Sequence, residues 1–140
     1  MITSMQDVPA SGESMFEGLF ENSAMAVAVL TVGGRFLRAN PALCRVLGYT
    51  EQELQQKTHL DVIHIEDLEA AAVARAQVIS GKAKPRIIER RYLNKDGSVV
   101  WAQVTGVVER DAAGVPQCTM VILDDISRLK QLRHVPLPPP

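Results

Sequence analysis

Three strand-like runs, separated by turns too short to hold a helix, dominate the last third of this chain. "RIIERRYL" ends at "NKDG", "SVVWAQVTGVVER" ends at "DAAGVP", and "QCTMVILDDI" follows. Asp96-Gly97 is a hairpin signal, because a two-residue turn of the hand that suits twisted strands needs residues tolerant of positive φ. Connections this short join antiparallel neighbours; parallel strands need a long crossover. In the middle run Val100, Ala102, Val104, Gly106 and Val108 share one face. Val99, Trp101, Gln103, Thr105 and Val107 share the other. The last run is apolar on both faces, which predicts a central strand covered on both sides.

A second hairpin lies upstream. "MAVAVLTV" meets "RFLRAN" across Gly33-Gly34. Between the two strand groups the pattern is helical. Asn40 can cap a helix whose first position is Pro41, with Leu43, Val46 and Leu47 as its buried stripe and Gly48 as its stop. Thr50 and Glu53 have capping-box spacing and open a second short helix. "HIEDLEAAAVARAQVIS" predicts the longest helix inside the domain, with Leu68, Ala72, Val73, Ala76 and Ile79 at helical spacing and Gly81 as the stop.

The ends are different in character. Residues 1–14 are small and polar and are expected to be disordered. "MFEGLFEN" puts Phe16, Leu19 and Phe20 at the spacing of a short amphipathic helix. Ser127 can cap an outgoing helix, and residues 128–140 run from it into the Pro-rich "HVPLPPP", a linker or an added tail. The order of elements predicts an α+β domain over residues 15–127. Its core is a five-stranded antiparallel sheet, with short helices and one longer helix packed on one face and flanking helices at both ends.

Composition removes several function classes. The net charge of −1, from 15 basic and 16 acidic residues, gives no electrostatic case for nucleic acid or an anionic membrane. The N-terminus lacks the basic-then-apolar pattern of a signal peptide, and "SAMAVAVLTVGG" is too short to span a bilayer. A cytoplasmic location is the expectation. Cys44 and Cys118 stand in unrelated patterns with no metal-ligand spacing, and are expected to be reduced, partly buried thiols.

No catalytic constellation emerges. Cys44 as a nucleophile would need a neighbouring base, and none of His59, His64 or His134 stands in such a context. His64 is better placed to hydrogen-bond backbone at a helix start than to bind iron, and His59 with His64 lacks the carboxylates to complete a metal site. Asp124 and Asp125 are adjacent in a strand and point to opposite faces, so they do not share one substrate. Asp125 is expected to pair with a basic residue or to help start the outgoing helix. Trp101 and the valines beside it form an apolar patch that needs cover. The Phe16, Leu19 and Phe20 stripe, from this chain or a second copy, is the candidate cover, which makes Phe16, Leu19, Phe20, Val99, Trp101 and Val107 the expected homodimer interface.

Four stretches together resemble the PAS domain family. They are "GRFLRANPALCRVLGYTEQEL", "VIHIEDLEAA", "RRYLNKDGSVVWAQV" and "DDISRLKQL", in that order. Ile65 stands where the family usually has proline, and Ser127 where it has threonine. The resemblance implies a sensor and dimerisation module of a signalling protein, a histidine kinase or a diguanylate cyclase, with a C-terminal effector domain and no catalysis in the module itself. It implies a signal relay at Asp125, Ile126 and Ser127. It also implies a pocket between sheet and helices, for which Tyr49, His64, Val73, Ile88 and Val104 are the expected lining, open to an unidentified small molecule. The light-sensing Asn-Cys-Arg-Phe motif is missing, and the long helix carries no axial histidine, so no flavin adduct, haem or metal is expected. A ligand-free scaffold that only dimerises is the alternative, and a filled core would favour it.

Overall fold

The computed structural model describes residues 12–133. In chain order its elements are α1 (Gly12–Asn22), β1 (Ala26–Thr31), β2 (Phe36–Ala39), α2 (Pro41–Leu47) and α3 (Glu51–Leu54). Two 3-10 turns (His59–Val62 and Ile65–Asp67) lead into α4 (Leu68–Ile79). Then come β3 (Ile88–Leu93), β4 (Val99–Arg110), β5 (Pro116–Asp125) and α5 (Ser127–Arg133). Because α1 begins at Gly12, helix replaces part of the segment expected to be disordered. The rest of that segment, His134 and the Pro-rich end lie outside the described residues.

The five strands are antiparallel in the order β2-β1-β5-β4-β3. β5 closes the sheet between the two hairpins and is its central strand, as its apolar pattern predicts. One face is the inner one. There Ala28, Leu30, Phe36, Ala102, Val104 and Leu123 are buried with Leu43, Leu47, Leu54, Val62 and Ile63 from the helical middle. Each large apolar side chain so buried contributes about 1.5–3 kcal/mol.

The helical middle is fixed by its caps. Asn40 is fully enclosed (0% exposed). Its Oδ1 accepts from Leu43 N at 3.0 Å, the expected cap, and from Val27 N of β1 at 2.9 Å. Its Nδ2 donates to Met25 O at 2.8 Å, so one side chain ties α2 to the first strand. Gly48 ends α2 in the left-handed region at φ 79°. Thr50 and Glu53 exchange both bonds of the capping box, at 3.1 and 3.0 Å.

α4 turns differently from the expected stripe. Ala71, Ala74, Arg75 and Val78 face the sheet, whereas Ala72, Val73 and Ala76 are exposed. An alanine-rich helix has little contrast between its faces. A polar bond fixes the rotation instead: Arg75 Nη2 donates to Thr31 O at 2.6 Å.

α1 lies on the outer face of the sheet. Phe20 is 3% exposed, with the Arg38 guanidinium 4.7 Å from its ring centroid and the Phe16 ring at 5.3 Å. Arg38 also meets Glu17 at 2.6 Å, Glu21 at 3.5 Å and Glu51 at 3.0 Å, holding α1, β2 and α3 together. The single stripe expected of α1 is divided: Phe20 is consumed within its own chain, and Leu19 is 71% exposed. Nor does α1 cap Trp101. That ring is covered by Arg91 at 5.2 Å and by Lys130 of α5 at 4.5 Å, because cations on neighbouring elements reach it first.

Candidate functional site

Between the inner sheet face and α4 lies a cavity of about 460 Å³. Its walls are mostly apolar, with Leu30, Phe36, Leu43, Ile88, Val104 and Leu123 among them. Its polar lining is cationic or neutral: Arg75, Arg90, His59, Thr119, Tyr92 and Gln77, with Lys84 and Arg86 exposed on the segment between α4 and β3. No aspartate or glutamate lines it among the described residues.

Arg90 arrives there by strand alternation. Ile88, Arg90 and Tyr92 share the inner face of β3, paired with Val104, Ala102 and Val100. Arg90 is 8% exposed, and its guanidinium makes no hydrogen bond or ion pair among the described residues. The nearby carboxylate of Asp67 is engaged by Arg91, at 2.8 Å to Nη2, 3.2 Å to Nε and 2.8 Å to the backbone N. Arg91 thereby holds the Asp67 carboxyl below the usual carboxylate range.

His59 packs its ring against Gly34, which has φ 93° and where a Cβ would collide with the imidazole. Burial, then the charges of Arg75 and Arg90, push the His59 pKa down to about 4. Burial pushes the Tyr92 phenol up. Thr119 Oγ1 is buried on the same inner face with no partner among the described residues.

Two of the residues expected to line the pocket, Ile88 and Val104, do line it. The other three do not. Val73 is exposed because α4 is rotated. His64 caps the second 3-10 turn, its Nδ1 accepting from Glu66 N at 3.1 Å. Tyr49 stands between Lys57 and Lys95, at 5.0 and 5.8 Å from its ring centroid. The histidine on the cavity is His59. The signal that finds Arg90 is in the sequence: among the inward positions of β3, which are Ile88, Arg90 and Tyr92, it is the one charge.

A second cluster sits at the start of α5. Ile126 is buried, and its N–H donates to Trp101 O at 2.8 Å. Trp101 N donates to Ser127 Oγ at 3.0 Å, and Ser127 N to Asp125 Oδ1 at 2.9 Å. Asp125 therefore helps start the helix, while Asp124 is exposed. Lys130 and Arg133 of α5 both pair with Glu89 of β3. The thiols lie elsewhere. Cys44 is half-buried against the core, 3.9 Å from Ala39 O, and burial raises its pKa, the opposite of an activated nucleophile. Burial, then Glu109, raises that of Cys118.

The PAS fold family matches residues 36–123. The chain is 32% identical over 126 residues to the probable diguanylate cyclase DgcE of Escherichia coli (strain K12), covering 90% of the chain and 11% of that protein. It is 29% identical over 124 residues to the sensor histidine kinase TmoS of Ectopseudomonas mendocina, covering 89% and 13%. The crystal structure of a PAS domain from Colwellia psychrerythraea superposes with a TM-score of 0.74 at 19% identity, over 84% of the chain and 99% of that structure. The chain thus spans a small part of the curated relatives it matches. Among the described residues no helix is long and apolar enough to cross a membrane.

Proposed function

The chain belongs to the PAS fold family of sensory, non-catalytic modules found in histidine kinases and diguanylate cyclases, and from that premise we propose that it is the ligand-sensing and dimerising module of a cytoplasmic signalling protein of one of those two kinds. The observation that carries this reading is the cavity of about 460 Å³ in the middle of the domain. Pockets that take small molecules typically measure about 300–1,000 Å³. A filled core would have favoured the scaffold that only dimerises.

The output of the module is the outgoing helix. β3 supports this reading, because its inner face carries Arg90 on the cavity and its outer face carries Glu89 and Arg91 against α5 and Trp101. A ligand that shifts β3 changes the seat of α5, and Asp125, Ile126 and Ser127 pass the change to whatever effector follows. A packed element with two seats is the physical requirement for such a relay.

The same reading includes no coloured cofactor. No cysteine stands in the stretch from α3 to α4, and α4 contains no histidine. An absorption band between about 350 and 650 nm that survives purification overturns this part. Native mass spectrometry of the purified chain tests the whole. A dimer mass and a co-purifying small molecule, or a small molecule that binds on addition, are expected. A monomer that takes up no small molecule overturns the proposal.

A further inference from the structure

We propose that the cavity takes a small monocarboxylate with an apolar body, and that Arg90 is its counter-ion. This rests on the cavity being the sensor's ligand pocket and names the chemistry of what enters it.

Arg90 carries the argument. An arginine usually keeps its charged head in water and buries only its stem. Here the whole residue is 8% exposed. The cavity leaves its nitrogens open to solvent, and a charge in so enclosed a place is favoured when a hydrogen-bonding anion pairs with it. Yet the guanidinium has no hydrogen-bond or ionic partner among the described residues, and the carboxylate of Asp67 is already taken by Arg91. A planar fork of donors matches a carboxylate bidentately.

The surroundings point the same way. Tyr92 and Thr119 bring hydroxyl groups to the same wall, and neither hydroxyl has a partner among the described residues. The cavity's charged residues are all basic, so its field attracts an anion and rejects a cation. Lys84 and Arg86, exposed where the α4–β3 segment borders the cavity, favour entry of the same sign. The rest of the wall is aliphatic and aromatic, which requires an apolar body on the acid and excludes a small, fully polar dianion.

Octanoate and octanamide are the probes, since they share a chain and differ in charge. Isothermal titration at pH 7.5 on the full chain should show octanoate binding at least tenfold tighter than octanamide. Arg90→Gln should abolish that preference, with octanamide affinity unchanged within a few-fold. Arg90→Lys, which keeps the charge and loses the fork, should retain part of it. Equal binding of the two probes by the wild-type chain overturns the carboxylate assignment and leaves the ligand pocket standing. Binding of neither overturns the assignment too, and native mass spectrometry then decides the pocket separately. If Arg90→Gln does not fold, the wild-type ratio and Arg90→Lys still decide. An undiminished preference in Arg90→Lys would show that the fork is not the recognition element.

Discussion

Arg90 and Arg91 are neighbours in β3 that serve opposite faces of the sheet. Arg90 pairs with Ala102 and lines the cavity; Arg91 pairs with Trp101 and lies 5.2 Å from its ring. Strand alternation alone produces this division. It places the candidate ligand contact one residue from the strand's grip on the outgoing helix.

Glu89 is the point at which that grip is tested. It pairs with both Lys130 and Arg133, and α5 has no buried side chains of its own. Glu89→Gln removes both ionic ties at once. Amide exchange over residues 127–133 should speed up several-fold, while β4 and β5 keep their protection, because local opening and global unfolding have separate free energies. Unchanged exchange in α5 would mean that the contacts of Ile126, Ser127 and Lys130 with Trp101 hold it without the ionic ties.

Asn40 is the structural counterpart. Asn40→Ala removes the cap of α2 and the partner of the Val27 N–H and of the Met25 carbonyl in one step. Loss of a cap costs about 1 kcal/mol and the orphaned, buried Val27 N–H about 1–3 kcal/mol, while the carbonyl of the exposed Met25 can turn to water, so a destabilisation of about 2–4 kcal/mol is expected in urea unfolding. A change below about 0.5 kcal/mol, the range of ordinary surface substitutions, contradicts this reading of the cap.

The cap of α2, the capping box and the antiparallel sheet are legible in the sequence because each rests on local chemistry: a side-chain acceptor, a fixed turn, a period of two. The rotation of α4 is not, since alanine on every side gives no preferred face and a long-range bond from Arg75 to Thr31 O decides it. The fate of α1 is illegible for the same reason. Phe20 is covered by Phe16 of its own helix and by Arg38 of β2, and the contact between α1 and β2 leaves no local pattern in the chain. Arg90 lies between these cases. Its inward position follows from alternation, but a charge on an apolar face contradicts the usual pattern, and the contradiction is itself the pointer to the site.

His59 should make the fold sensitive to mild acid. Its folded-state pKa of about 4 lies below the ordinary 6.5, so the neutral ring is the one the fold accepts. The stability it contributes is fully present above pH 6.5 and is lost as pH falls from there through about 4. Arg75 and Arg90 oppose the proton, and Asp61 weakly favours it. After allowing for partial exposure of the ring, a loss of about 1–2 kcal/mol is expected. His59→Gln should flatten the pH dependence of urea unfolding between pH 6.5 and 4.5. A profile identical to wild type would place the acid sensitivity elsewhere, for instance in Asp67, whose lowered pKa acts at more acidic pH.

The last prediction separates what α1 does for its own chain from what it does for a second copy. Phe20 is spent inside the chain, so Phe20→Ala should destabilise the monomer by about 3 kcal/mol or more, the range for deleting a buried aromatic ring. Leu19, Val99 and Val107 are exposed, at 71%, 44% and 49%, so their loss removes little internal packing. A groove lined by Phe16, Val29, Val107 and Met120 runs between α1 and the outer face of the sheet. If two copies meet there, Leu19→Glu combined with Val107→Glu places charge in the contact and should convert a dimer to a monomer in sedimentation, with the unfolding midpoint of the isolated monomer little changed. Deleting residues 1–22 should weaken the dimer as well, but it also uncovers the seat of Phe20, so its effect mixes the two roles. A full chain that is monomeric at about 100 μM, a concentration that reveals even weak complexes, removes the dimer from the proposal. Equal dimerisation of the wild type and the double glutamate variant moves the contact away from α1.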